Sequence, residues 1–103
     1  MGNIMLGACP THPGEVLKDE IEERKLSQKN LAEKMGMSYS VLNEILNARR
    51  PLTAKTALMF EAILGVPADS LLYLQMKYNL HEAQKDKSIV KRLKELRKIA
   101  ALL

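Results

Sequence analysis

The chain contains 103 residues, of which 47% are hydrophobic, and its formal net charge at pH 7 is +4. This length suits one compact domain with an extension and excludes a large enzyme. Trp is absent and Phe occurs once, while Leu, Ala, Glu, Lys and Met dominate, so the composition predicts an all-α protein. Cys9 is the single cysteine. Because no internal disulfide can form, we expect a cytoplasmic protein.

The positive charge is concentrated at the C-terminal end. Residues 85–103 hold seven basic and two acidic side chains, a net charge of +5, whereas residues 1–84 hold nine basic and ten acidic ones, a net charge of −1. A basic chain invites a nucleic-acid-binding interpretation, but most of this chain is not basic. Attraction of the central region to phosphate must therefore come from local groups such as Arg49, Arg50 and Lys55.

The N-terminal part of the chain changes character at Pro13. Residues 1–12 show no sustained periodicity and are predicted to form a loose arm. Pro13 suits the first position of a helix, whose inward positions are Val16, Leu17 and Ile21. His12 is interpreted either as a ligand or switch or as a solvent-exposed capping residue. We favour capping, because no other His or Cys lies at metal-ligand spacing.

The stretch from Ser27 to Arg50 is predicted to form two short helices joined by a tight turn. Ser27 and Ser38 suit N-cap positions, and Gly36 permits the sharp turn between the helices. The inward positions are Leu31, Ala32 and Met35 in the first helix and Leu42, Ile45 and Leu46 in the second. The opposite face of the second helix carries Ser40, Asn43, Glu44 and Asn47. Such a polar face suits an element that enters the DNA major groove and reads base edges.

Two more helices are predicted between Pro51, which ends the preceding segment, and residue 84. Thr53 suits the N-cap of the first, and Gly65 suits its end. The predicted inward positions of this helix are Ala57, Phe60, Ile63 and Leu64. The second helix begins near Pro67 and has apolar residues on more than one face, which suggests that it contacts both the core and another surface.

From Lys87 onward the apolar spacing becomes heptad-like, with a seam of Ile89, Leu93, Leu96, Ala100 and Leu103. A helix of about two heptads is only marginally stable alone. It therefore either folds back on the domain or pairs with its counterpart in a second chain. The surrounding basic side chains are expected to contact DNA phosphate, an acidic partner or solvent.

Motifs for catalysis are absent from the sequence. It contains no Gly-rich phosphate loop, nucleophile motif or cluster of metal ligands. We therefore expect neither an enzyme nor a requirement for a cofactor or metal.

Several strings of residues together resemble the HigA antitoxin branch of the lambda-repressor and Cro-like (XRE) helix-turn-helix family. They are Ser27–Ala32, Met35–Ser38, His12–Leu17, Ile45–Arg50, Thr53–Leu58 and Leu74–Leu80. The resemblance covers roughly residues 12–84 and implies a five-helix lambda-repressor-like domain over residues 13–84. The spacing and charge of the remaining residues predict an additional basic amphipathic C-terminal helix over residues 85–103. The resemblance further implies a dimeric antitoxin that represses its own operon and neutralises a HigB-type messenger-RNA endonuclease.

The family motif assigns roles to individual residues. Gln28 is implied to bond a phosphate, and Ser38, Tyr39, Ser40, Asn43 and Glu44 occupy recognition-helix positions. With the polar and basic groups noted above, the expected DNA-binding set is Gln28, Ser38, Tyr39, Ser40, Asn43, Glu44, Asn47, Arg49, Arg50 and Lys55. A two-fold dimer is expected to span two half-sites, and its candidate contacts are Leu71, Leu74, Tyr78, Leu80, Leu93 and Leu96.

Alternatives remain open at several of these positions. Tyr39 either contacts DNA or packs at the edge of the groove-facing surface, and Glu44 either reads a base or forms a salt bridge to a neighbouring side chain. Ala48 stands where the family commonly has Gly, so Asn47 or a shifted turn is expected to supply the positive φ. Leu71 replaces a common Trp. For the whole chain, the alternatives are a stand-alone transcription regulator and a protein-interaction module.

Overall fold

The computed structural model describes residues 9–103, which form six α-helices. They are α1 (Pro13–Glu23), α2 (Gln28–Met35), α3 (Tyr39–Leu46), α4 (Ala54–Leu64), α5 (Ala68–Gln84) and α6 (Lys87–Ala100). The all-α prediction is confirmed for this part of the chain. Residues 1–8, which hold most of the predicted arm over residues 1–12, lie outside the described residues.

The predicted hydroxyl caps begin three of the helices. Ser27 Oγ accepts from the Asn30 N–H at the start of α2, Ser38 Oγ accepts from the Val41 N–H at the start of α3, and Thr53 Oγ1 accepts from the Thr56 N–H at the start of α4. Each bond satisfies a backbone donor that has no partner within its helix. Short polar residues therefore set where the helices start.

The hydrophobic core is formed by α1 to α5. Its buried members are Leu17, Ile21, Leu31, Ala32, Leu42, Ile45, Leu46, Leu52, Ala57, Phe60, Leu64, Ala68 and Leu71. The prediction that Ile63 faces this core is wrong, because its side chain is 39% exposed. Ala57, Phe60 and Leu64 define the buried face of α4, and Ile63 lies about 100° around the helix from Leu64.

His12 caps α1 as predicted, but the expectation that it is solvent-exposed is wrong, because it is 1% exposed. Its Nδ1 accepts from the Gly14 N–H at 2.9 Å, and its own N–H donates to the Glu15 carboxylate at 3.3 Å. The Tyr78 ring stands edge-on to the imidazole, with centroids 4.8 Å apart. This contact joins the start of α1 to α5, far along the chain, so burial of His12 depends on tertiary packing.

Burial lowers the pKa of His12 below its ordinary value of 6.5, and the Glu15 carboxylate opposes this only in part. Because the folded protein favours the neutral imidazole, we expect the free energy of unfolding to decrease as pH falls through and below 6.5. The loss amounts to at most about 1.4 kcal/mol per pH unit. Urea titrations at several pH values measure it. The control is His12→Asn, which retains a capping oxygen without the titration and is expected to show a flatter dependence; equal slopes would contradict the assignment.

The turn after α3 is closed by Ala48 in the left-handed region, with φ of 61°. The expectation that Asn47 or a shifted turn supplies the positive φ is therefore wrong, since Asn47 has φ of −105°. The Arg49 N–H donates to the Glu44 carbonyl at 2.8 Å and the Ala48 N–H to the Ile45 carbonyl at 3.2 Å. Both bonds satisfy carbonyls at the end of α3, and they hold Ala48 in this conformation.

A left-handed alanine is strained relative to glycine, so we expect Ala48→Gly to stabilise the protein. The relief of about 1–2 kcal/mol is partly offset by the greater freedom of glycine in the unfolded chain, which leaves a gain of about 0.5–1 kcal/mol. Thermal and urea unfolding measure the change. A matched Ala54→Gly change, in the first turn of α4, is expected to destabilise, and a loss of stability at position 48 would contradict the turn geometry.

Helix α6 extends away from the core. None of its residues is buried, and the described residues measure 56 × 24 × 20 Å along their principal axes. Of the two predicted arrangements, folding back on the domain is therefore not observed. Among residues 9–103, no helix is long and apolar enough to cross a membrane.

Candidate nucleic-acid interface

The candidate interface is built on the pair of helices α2 and α3. Gly36 ends α2 with φ of 69°, and the Met37 N–H donates to the Ala32 carbonyl at 3.0 Å. The chain then turns directly into the Ser38 cap of α3. Because Leu42, Ile45 and Leu46 are buried, the opposite face of α3 is directed toward solvent, as the sequence predicts.

Most of the predicted DNA-binding residues lie on or beside that outward face. Tyr39 is half-exposed, the exposed members are Ser38, Ser40, Asn47, Arg49, Arg50 and Lys55, and the partly buried members are Gln28, Asn43 and Glu44. An open depression beside α2 is lined by Ser27, Gln28, Lys29 and Tyr39. The first residues of α2 and α3 thus share one surface, as a phosphate-contacting and a base-reading helix require.

A side-chain contact links the two helices on this surface. Asn43 Nδ2 on α3 donates to Gln28 Oε1 at the start of α2, at 3.4 Å. The contact restricts both amide side chains before any ligand is present. Asn43 retains its carbonyl oxygen and a second N–H, the groups with which an asparagine reads an adenine edge.

Glu44 forms an ion pair with Arg50. Arg50 Nε and Nη2 both donate to Glu44 Oε1, at 2.9 and 2.7 Å. Both side chains are roughly half-exposed, so the pair contributes little to stability. Its local effect is to offset the negative charge of Glu44 at the centre of a surface that would face phosphate. In the free protein, the salt-bridge interpretation of Glu44 is therefore the one observed.

Lys18 is a cation of this surface that the sequence analysis did not assign to it. Its Nζ donates to Asn47 Oδ1 at 3.3 Å, and Asn47 Nδ2 donates to the Asn43 carbonyl at 2.8 Å. Lys18 thus lies beside the C-terminal end of α3. The position of Lys18 was indicated by its spacing in the sequence, because it follows Gly14 by four residues and therefore lies on the same side of α1. Gly14 is the residue at which α1 approaches α3.

The remaining cations follow α3. Arg49 and Lys55 are exposed, and within residues 9–103 neither makes an ion pair. Their charges remain available for phosphate, and so does that of Lys18. The charge therefore flanks the polar face of α3 at its C-terminal end, which is the arrangement expected when phosphate contacts position a base-reading helix.

The candidate dimer residues divide by exposure. The assignment of Leu71 to a dimer surface is wrong, because Leu71 is 1% exposed and packs in the core. Leu74, Tyr78 and Leu93 are half-buried, and Leu80 and Leu96 are exposed. Tyr73 and Met76, which were not among the predicted contacts, form an exposed apolar stripe with Leu80 at positions i, i+3 and i+7 of α5.

Among residues 9–103, no group of His, Cys, Asp and Glu side chains is arranged to hold a metal ion. Hydrogen-bonding side chains on the linked helices α2 and α3, with cations from neighbouring parts of the chain beside them, are the groups with which a protein recognises a polyanion. This fold and surface define a helix-turn-helix DNA-binding protein.

The chain belongs to the helix-turn-helix (HTH_3) family, whose model matches residues 17–71. Proteins of this family are DNA-binding regulators rather than enzymes. Virulence-associated protein I of Dichelobacter nodosus is 39% identical over 80 residues, which cover 77% of this chain and 74% of that protein.

Solved structures of HigA antitoxins are similar to this chain. An addiction-module antidote protein of the HigA family from Coxiella burnetii is 33% identical, with a TM-score of 0.70, over 88% of this chain and 95% of that one. The Pseudomonas aeruginosa antitoxin HigA, solved with the higBA promoter, is 29% identical, with a TM-score of 0.72, over 84% of this chain and 92% of that one. The predicted resemblance to HigA antitoxins is confirmed at the level of fold and family.

Proposed function

We propose that the protein is the antitoxin of a toxin-antitoxin pair, that it binds operator DNA as a homodimer, and that it neutralises a HigB-type messenger-RNA endonuclease. The observation that carries the DNA-binding half is the solvent-directed polar face of α3, linked to α2 through Asn43 and Gln28 and flanked by cations. The antitoxin half is supported by the similarity to HigA proteins. The proposed site of action is the cytoplasm, where a repressor reaches its operator.

The geometry supports different proposed roles on the DNA for the individual side chains. Asn43, Ser40 and Tyr39 contact base edges, while Gln28, Ser38 and the cations contact phosphate. Glu44 acts by orienting Arg50, the side chain with which it is paired. A single short recognition helix reads only a few base pairs, so a two-fold dimer with half-sites about one helical turn apart provides the specificity.

Co-expression with the adjacent reading frame tests the toxin half of the proposal. The chain is expected to co-purify with a small basic protein that is toxic when expressed alone, and native mass measurement gives the stoichiometry of the complex. A stand-alone regulator would bind its operator without such a neighbour. A protein-interaction module would capture a partner without binding operator DNA, and either result would contradict the proposal.

A further inference from the structure

Helix α6 has two opposite faces of different chemistry. One face, the apolar row, consists of Ile89, Leu93, Leu96 and Ala100, and the other, the lysine row, consists of Lys87, Lys91, Lys94 and Lys98. Leu103, the last residue of the predicted seam, lies beyond the end of α6 at Ala100 and is not part of the row. At 100° per residue the two rows are centred about 180° apart. Ile89 and Leu96 are 36% and 41% exposed, and no residue of α6 is buried. The apolar row is therefore uncovered by the described part of the chain.

We propose that the apolar row of α6 pairs antiparallel with the same row of a second copy of this chain. In this register Ile89 lies opposite Ala100 of the second copy, and Leu93 lies opposite Leu96 of the second copy. The inference rests on the homodimer of the proposed function. It adds which surface forms the contact and in which relative direction the two helices run.

The spacing of the row favours the antiparallel direction. The steps from Ile89 to Leu93, Leu96 and Ala100 are four, three and four residues, a pattern that is the same when the helix is reversed. Reversal therefore brings all four positions of one copy opposite all four of the other, as a two-fold axis requires. Each outer layer then combines a large Ile89 with a small Ala100, which fills space evenly. A parallel pair would place Ala100 against Ala100 and leave a gap.

The charges beside the row favour the antiparallel pair over a parallel one. Arg92 and Arg97 flank the apolar row on opposite sides, five residues apart. In a parallel pair, Arg92 of each copy would therefore lie opposite Arg97 of the other copy, and the like charges would repel at two places. In the antiparallel register Arg92 lies beside Ile99 of the second copy, and Arg97 lies beside Val90. The aliphatic stems of the arginines then cover exposed β-branched side chains.

The charge of α6 is compatible with this pairing. The lysine row points away from the seam in both copies, so the two rows lie on the outside of the pair, in solvent where salt screens them. Arg92 is partly neutralised within its own helix, where Nη1 lies 3.3 Å from Glu95 Oε1. Self-association is therefore expected to strengthen with added salt, whereas binding to DNA weakens with salt.

The exposed stripe on α5 is a second uncovered apolar surface, close to α6 along the chain. Tyr73, Met76 and Leu80 are each about half-exposed, and only Lys85 and Asp86 separate α5 from α6. Two heptads form a small contact surface by themselves. A dimer in which the α5 stripes and the α6 rows are covered together has a larger apolar contact surface than either element provides alone.

Disulfide cross-linking tests the direction and the register. In a Cys9→Ser background, which removes the exposed native thiol, the variants Ile89→Cys and Ala100→Cys are oxidised separately and as a mixture. The mixture is expected to form a dimer of one Ile89→Cys and one Ala100→Cys chain, and neither variant is expected to cross-link alone. In the proposed register like positions lie 11 residues apart, about 16 Å along the axis. Lys94→Cys, on the lysine row, is the control and is expected to remain uncross-linked.

Each alternative gives a different result. Cross-linking of Ile89→Cys to itself would establish a parallel pair and overturn the proposal. A chain that sediments as a monomer, or as a dimer without the mixed cross-link, would overturn it as well. Co-sedimentation of such a monomer with phosphatidylglycerol vesicles would assign the apolar row to a lipid surface instead. Gel shifts with the same variants separate the two hypotheses, because operator binding without the mixed cross-link contradicts only the α6 pairing.

Discussion

Replacing Asn43 and Arg49 together by alanine is expected to lower affinity for the operator by about a hundredfold or more, since a base contact contributes about 1–3 kcal/mol and a phosphate contact adds to it. Asn43 lies on the outward face of α3, and Arg49 is exposed and makes no ion pair within residues 9–103. Neither side chain belongs to the hydrophobic core. The fold is therefore expected to remain intact.

Gel shifts at one fixed salt concentration measure this loss, and circular dichroism checks that helix content is unchanged. Lys34→Ala is the control, because it removes one positive charge from an exposed residue of α2 that lies beside Ile63 and Leu64 of α4 rather than beside α3. It is expected to bind nearly as the unaltered protein does. The single variants separate two kinds of contact, since Arg49→Ala is expected to weaken all DNA sequences equally, whereas Asn43→Ala relaxes discrimination at one base pair. Unchanged binding by the double variant would contradict the assignment of α3 to the groove.

Gly14→Ala is expected to produce the largest loss of stability, about 3 kcal/mol. A Cβ at this position would overlap the backbone carbonyl oxygen of Ile45, so α1 and α3 would have to move apart. Because Ile45 belongs to α3, the proposed recognition helix, the same change is expected to weaken DNA binding. Urea unfolding measures the stability, and gel shifts at low temperature measure the binding.

Gly36→Ala provides a matched comparison. A Cβ at Gly36 meets nothing within 4 Å, and only its φ of +69° disfavours alanine, at a cost of about 1–2 kcal/mol. Gly14→Ala is therefore expected to be clearly the more destabilising of the two. Equal effects would indicate that the close approach of α1 to α3 is not a determinant of stability.

Local features of the fold were predictable from the sequence because their causes lie within a few residues. The hydroxyl caps at Ser27, Ser38 and Thr53 and the left-handed glycines at Gly36 and Gly65 all act over one helical turn. The period of the apolar residues likewise placed the polar face of α3 toward solvent. Similarity to a known family supplied the roles of individual side chains, which periodicity alone does not distinguish.

Features that depend on distant contacts were not predictable in this way. His12 is buried because Tyr78 packs against it, and Lys18 joins the candidate interface because α1 crosses close to α3. Ala48 is a different case, because the two backbone bonds that hold its positive φ are local to the end of α3, but alanine gives no signal for this conformation in the sequence. On α5, Tyr73 and Met76 are exposed and Leu71 is buried. The rotation of α5 about its axis depends on which of its faces packs against the core, and this packing involves residues far away along the chain.

Sequence-specific binding by α3 is tested by titrating the protein against DNA from its own promoter region and against a scrambled duplex of equal length and composition. Measurements at several salt concentrations separate the sequence-specific from the electrostatic contribution. We expect a preference of about a thousandfold or more for the promoter at physiological salt, with two chains bound per operator. Equal affinity for both duplexes, or no binding to either, would contradict it.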